Sequence, residues 1–323
     1  MSVTFGFTIP QRGAIIGIAP LGELLELAPA AEATGMFDSV WVGDSLIAKP
    51  RPESIALLGA LAGMTEQLTL GVGCMASFTV RDPVTFAYQW ASLDQISGGR
   101  MLLAACTGIV PQGGASRREG DHFGGVQDVD RPALLEENIR LCRELWTGEV
   151  IDFSGRFRSY EGVQIQPPPV QDPCPIWIAA NPRPGRYFSR SMKRVATFAD
   201  GFQTCVMAPG GLRAMVVELG AHLADAGRDV ATFPVMPYHN VNIGTDRAEC
   251  LAETKRFLDA YYGPVFPESI VESWTAAGTP KECLDHLRDL VDQGATSIAL
   301  RCTSWDQVGQ LKRLSEEVLP ALI

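Results

Sequence analysis

The stretch that most constrains this chain is 81–108, RDPVTFAYQWASLDQISGGRMLLAACTG, because it spells one complete helix-then-strand unit of a parallel sheet. Pro83 opens a helix where its missing N–H costs nothing. Leu93 and Ile96 extend the apolar face, and Gly98-Gly99 end it. The run 101–106 is almost wholly apolar, as expected of a strand covered on both faces.

The same alternation runs along the whole chain. Strands are expected at 4–9, 39–43, 68–74, 101–106, 175–180, 201–206, 238–243 and 297–302. Helices are expected at 21–34, 53–65, 83–97, 131–147, 185–199, 211–226, 247–262, 280–293 and 305–319. A hairpin is expected at 150–165 around Ser154-Gly155, followed by a Pro-rich connector at 166–175. The segments 109–130 and 263–279 read as irregular. Eight strands alternating with helices favour an α/β fold closed into a (β/α)8 TIM barrel over an open doubly wound sheet. The expectation is a single domain over 1–323. Its insertions lie at about 109–130 after the fourth strand, at 150–165, and at 263–279 after the seventh.

At 323 residues and 46% hydrophobic, the chain is long enough to bury a large core. A formal charge of −10, from 27 basic and 37 acidic residues, argues against a non-specific grip on nucleic acid or anionic lipid. Eight cysteines are scattered without a C-x-x-C pair, so neither a disulfide framework nor a zinc or iron–sulfur site is expected. Four histidines, none in an H-x-H pair, argue against a metal-dependent hydrolase. Neither a signal peptide nor a membrane span is legible, and a cytoplasmic protein is expected. Residues 71–76, GVGCMA, fit a dinucleotide fingerprint, but no helix starts at the third small residue, so that reading is rejected.

The ordered set "R-x-P … LDQ-x-SGGR … TG" resembles the luciferase-like oxidoreductases, a flavin- or deazaflavin-dependent barrel family. So do ATGMFDSVWVGDS at 33–45, the block 134–180, FADGFQTC at 198–205, NIGTDRAECLAET at 242–254 and GTPKECLDHLRDLVDQGATSIALR at 278–301. The resemblance implies a cofactor at the carboxyl ends of the strands and a non-prolyl cis peptide at Gly73–Cys74. It implies cofactor contacts from Thr107 and Gly108. It further implies a phosphate-binding loop after the fifth strand, with Ala180, Asn181, Arg183 and Gly185. Cys106 matches a position where bacterial luciferase carries a reactive cysteine. Relatives often carry His after the Asp that ends the second strand; this chain has Asp44-Ser45, and Asp82 replaces the histidine of the family's "R-H-P". Asp44 and His122 are then the candidates for acid–base work. Asn240 and Arg301 are strand-end polar groups whose direction the sequence leaves open, and Tyr261, Tyr262, Phe266 and Trp274 are candidates for a cap.

The resulting expectation is a monooxygenase using reduced FMN, supplied by a separate flavin reductase, acting on a small-molecule substrate. The alternatives are an F420-dependent dehydrogenase or reductase and a flavin-binding barrel without turnover. A homodimer or higher homo-oligomer is expected from the family.

Overall fold

The structure, a computed structural model, describes residues 3–108, 115–181, 188–205 and 210–322. Its strands are β1 (Thr4–Thr8), β2 (Ser39–Val42), β3 (Thr69–Met75), β4 (Met101–Ala105), β5 (Ile151–Ser154) and β6 (Ser159–Val163). They continue as β7 (Ile176–Ala179), β8 (Gly201–Cys205), β9 (Val235–Ile243), β10 (Thr275–Gly278) and β11 (Ser297–Cys302). Among the described residues no helix is long and apolar enough to cross a membrane.

The chain divides into two compact units. The first comprises 1–41, 180–197 and 201–323, and the second 42–179 and 198–200. In the first, β8, β9, β11, β1 and β2 pair in parallel in that order. The carboxyl half of β9 also pairs with β10, from Thr275↔Asn240 to Gly278↔Ile243. In the second unit β3, β4 and β7 are parallel neighbours, while β5 and β6 form the expected antiparallel hairpin.

Two segments expected to be irregular hold regular structure. Residues Ala115–His122 are helical, a stretch too polar to show an apolar face. The segment 263–279 contains the helix Glu268–Ser273 and strand β10, whose sequence TAAG is too short and too poor in branched residues to show a strand pattern. β9 also begins three residues earlier than expected, so His239 stands in the middle of that strand rather than at its start.

In the second unit the LDQ-x-SGGR text is a structural clasp. Asp82 accepts a hydrogen bond from the Thr85 N–H and, with Pro83 after it, caps the helix Pro83–Ser97. Here the residue replacing the family histidine has a local structural use. Asp94 is buried on that helix; its Oδ2 accepts from the N–H groups of Val170 and Gln171 at 2.7 and 2.9 Å, and its Oδ1 from the Gln171 side chain at 2.7 Å. The Pro-rich connector, which forms no ladder of its own, is thereby given acceptors. Arg100 donates to the carbonyls of Ala62, Thr65, Leu68 and Ser97, closing the ends of two helices at once. The β5–β6 hairpin is held by the buried Glu137, which accepts from the Arg156 and Phe157 N–H groups. A Cβ at Gly155 would lie 2.4 Å from the Glu137 carboxyl carbon, so only glycine admits that approach.

In the first unit, His239 points away from β11's Arg301 and onto the helix Pro280–Asp292, its Nε2 2.8 Å from that of His286. Burial, and then His286, hold His239 well below the usual histidine range. Burial and then Arg247 pull His286 down as well, against an opposing pull from Asp289.

Two outcomes follow from these contacts. Asp94→Ala should lower the unfolding free energy by about 3 kcal/mol, since charge-assisted bonds are lost and buried N–H groups stranded. Gln95→Ala, on the exposed side of the same helix, should cost under about 1 kcal/mol in the same urea titration. For the histidines, the unfolded chain takes up protons before the folded one as pH falls. Their contribution is intact above about pH 6.5 and is lost below it, toward the lowered folded values. Between about pH 7 and pH 5, the parent chain should therefore lose more stability than a His239→Leu/His286→Gln double variant. The excess has a ceiling of about 1.4 kcal/mol per pH unit per ring.

Candidate functional site

In the second unit the site is built at the carboxyl ends of β3 and β4. The Gly73–Cys74 peptide is cis, as the resemblance implies. The ladder runs Gly73↔Ala104 and then Met75↔Ala105, slipping past Cys74. Cys74 is half-buried, Cys106 is buried, and their sulfurs are 2.8 Å apart. Thr107 and Gly108 follow, both half-buried, with Gly108 at φ 82°, where a side chain is strained. A Cβ there would also meet the Ala76 carbonyl at 2.9 Å.

Asp44 lies just beyond β2 and is buried. Its Oδ1 accepts from the Ser54 hydroxyl at 2.7 Å and from Arg81 at 3.2 Å, and its Oδ2 from the Ser77 N–H at 2.7 Å. Arg81 also donates to Glu53 at 2.6 Å and to the Ser77 hydroxyl at 2.7 Å. Both oxygens of Asp44 are therefore engaged, and the side chain ties the segment after β2 to the segment after β3 instead of standing free. Ser45 is buried and accepts from the Lys49 N–H at 2.9 Å. Glu119, on the helix Ala115–His122, receives the N–H groups of Leu46, Ile47 and Ala48 on one oxygen. His122 is exposed at the end of that helix.

Arg131 is a residue that sequence reasoning missed. It is fully buried, and its Nη1 donates to the Thr79 hydroxyl at 3.2 Å and to the Thr107 carbonyl at 3.3 Å, while Nε reaches Asp128. It thus fixes the backbone just before Gly108. One signal was available: Arg131 opens its helix, where the dipole disfavours a cation, so a tertiary contact has to hold it there.

In the first unit, Ala180 donates its N–H to the Gln203 carbonyl, and the exposed Asn181 accepts the Cys205 N–H on Oδ1 at 2.7 Å. The remaining polar group of Asn181 is its NH2, a donor suited to a phosphate oxygen. Arg183 and Gly185 lie outside the described residues.

The same unit brings together the strand-end and cap residues. Arg301 and Asn240 are register partners, so their side chains share one face of the sheet, and Asn240 Oδ1 accepts from Arg301 Nε at 3.0 Å and Nη2 at 2.7 Å. The Tyr262 hydroxyl accepts from Nη1. The guanidinium lies over Tyr238, Tyr261, Tyr262 and Trp274 at 5.0–5.4 Å from each ring centre. Phe266 packs edge-on against Tyr262 and Trp274. Among the described residues the hydrogen-bond partners of Arg301 are all neutral, and ring quadrupoles replace a carboxylate. Asn240 Nδ2, also buried, has no partner, so the pair presents hydrogen-bond donors only.

The sequence profile of the luciferase-like monooxygenase family matches residues 2–297. The chain is 28% identical to an F420-dependent glucose-6-phosphate dehydrogenase of Nakamurella multipartita, over 93% of this chain and 92% of that one. Its structure is similar, at 17% identity and a TM-score of 0.83 over the whole of both chains, to an F420-dependent secondary alcohol dehydrogenase bound to an F420–acetone adduct. It is also similar to a monooxygenase from Streptomyces bottropensis, at 20% identity and a TM-score of 0.81 over 99% of this chain and all of the other. These likenesses show the fold, a (β/α)8 TIM barrel.

If Asp44 and Arg81 act as one knot, their removal should be non-additive. A double-mutant cycle with Asp44→Ala and Arg81→Ala should give a coupling of about 1–2 kcal/mol by urea unfolding. Additive losses would show that Ser54 and Ser77 alone hold the carboxylate.

Proposed function

The chain belongs to the luciferase-like monooxygenase family of flavin- and F420-dependent oxidoreductases, and we propose that it is an F420-dependent dehydrogenase acting on a hydroxyl-bearing substrate. The observation that carries this reading is a set of curated relatives, each matched over 93% of the chain and named F420-dependent glucose-6-phosphate dehydrogenase, from Nakamurella multipartita, Rhodococcus erythropolis and Amycolatopsis mediterranei. The FMN monooxygenase reading draws its support from the more distant structural likeness to monooxygenases.

The residues fit such a group. We assign the flat face of the deazaflavin to the bulge at Gly73 and Cys74, with Thr107 and Gly108 at its edge. Asn181 supports the phosphate assignment because its one committed atom is the acceptor, leaving the donor for the ligand. Bound F420 would supply hydride chemistry. The protein's part is to orient substrate and keep water out.

Ser45 puts a hydroxyl where the family pattern has an imidazole. A hydroxyl orients a substrate oxygen but is not itself a base at neutral pH. Asp44 is assigned to positioning, because its oxygens already hold Ser54, Ser77 and Arg81. Within the first unit, the Arg301–Asn240 pair, lined by tyrosines and Trp274, offers hydrogen-bond donors and aromatic rings.

Titration of the purified protein with F420 and, separately, with reduced FMN under anaerobic conditions tests the reading by fluorescence. F420 should bind at least about tenfold more tightly than FMN. Asn181→Ala should weaken F420 binding by about tenfold with an unchanged melting temperature. Tighter binding of reduced FMN would overturn the proposal in favour of monooxygenation.

A further inference from the structure

The thiols of Cys74 and Cys106 lie side by side in the second unit, and none of the hydrogen bonds described above uses them. Both cysteines are free, with sulfurs 2.8 Å apart against about 2.05 Å in a disulfide. Their strands are parallel neighbours, and the slip in the ladder places Cys74 outside the regular pairing, beside the carboxyl end of β4.

The two sulfurs are not equivalent. Cys106 is buried, and its thiol is pushed well up, first by the hydrogen bond to Cys74, then by burial and by the nearby charges of Cys74 and Asp44. It therefore keeps its proton. It also has a second acceptor in the Met75 carbonyl at 3.6 Å. Cys74 is the half-buried member, the one a solvent-borne oxidant reaches. A solvent-reachable sulfur backed by a buried second thiol within bonding reach is the arrangement of an attacking and a resolving cysteine.

We propose that Cys74 and Cys106 form a reversible disulfide under hydroperoxide and that this cross-link shuts the cofactor seat. Cys74 sulfur attacks the O–O bond of the hydroperoxide, taking one oxygen as a sulfenic acid and releasing water, or an alcohol from an organic hydroperoxide. Cys106 sulfur then attacks the sulfenic sulfur; the S–O bond breaks, and the hydroxyl leaves as water with the Cys106 proton. Two electrons pass from the sulfurs to the peroxide, and a dithiol returns them. The cross-link ties β3 and β4 at the bulge assigned to the ring face. That part of the inference rests on the cofactor assignment above, whereas cross-link formation does not.

Arg81 and Arg100 lie between the two cysteines, so trypsin leaves them on separate peptides. The full-length protein, treated with hydrogen peroxide, alkylated and digested without reductant, should yield a linked pair carrying Cys74 and Cys106. Dithiothreitol should abolish it. Cys106→Ser should instead accumulate a dimedone adduct on Cys74, and Cys74→Ser should give neither product. Other thiols, such as those of Cys174 and Cys283, both pushed up to about 12 mainly by burial, should remain alkylatable only after unfolding. Oxidation of the parent chain should weaken F420 binding by at least about tenfold, with recovery on reduction.

Peroxide that modifies Cys74 without the linked peptide, or that links another pair, overturns the proposal. A cross-link with unchanged F420 affinity overturns the closure of the seat. Failure of F420 to bind in either redox state counts against the proposed function instead, and the linked peptide then still stands as a result.

Discussion

The structure depends on buried carboxylates that accept backbone N–H groups where the chain leaves its strands. A parallel sheet satisfies its own backbone, but the segments between strands and helices do not, and an unpaired buried N–H costs as much as a lost hydrogen bond. Asp44 takes the N–H of Ser77, and Asp94 those of Val170 and Gln171. Glu119 and Glu137 do the same for 46–48 and 156–157. An acidic composition thus has an internal use as well as a surface one. Each carboxylate fixes a connector against an element remote in sequence.

This explains what was legible beforehand and what was not. Helix 83–97 was readable because its signals are local: Pro83 at the start, Gly98-Gly99 at the end, apolar residues at helical spacing. The β5–β6 hairpin was readable for the same reason. The helix Ala115–His122 was not, because its stability comes from what Glu119 touches in the segment after β2, and no periodic pattern encodes that. β10 was missed because its four residues take their strand character from β9 alone. The cis peptide at Gly73–Cys74 was legible only through resemblance, since nothing in the local sequence demands it.

The site divides along the same line. Asp44, Ser45, Cys106, Thr107 and Gly108 could be named through the family resemblance, which places them at the ends of strands. What each does depended on partners from other segments. Asp44, a candidate base in the sequence, accepts hydrogen bonds from Ser54, Ser77 and Arg81 that no local pattern announces. Asn240 and Arg301 could not be oriented from sequence, yet strand register alone puts them side by side. Arg131 went unnoticed because its importance lies in the carbonyl of Thr107, a contact 24 residues away.

Glu119 gathers three consecutive N–H groups on one oxygen, about seventy residues from the segment it holds. A single carboxylate oxygen shared in this way is a mechanical joint. The turn after Ser45 cannot rise unless the helix Ala115–His122 rises with it or gives up all three bonds together. Exchange of those amides with solvent then reports the opening of that helix, and the two segments breathe as one body on a common timescale.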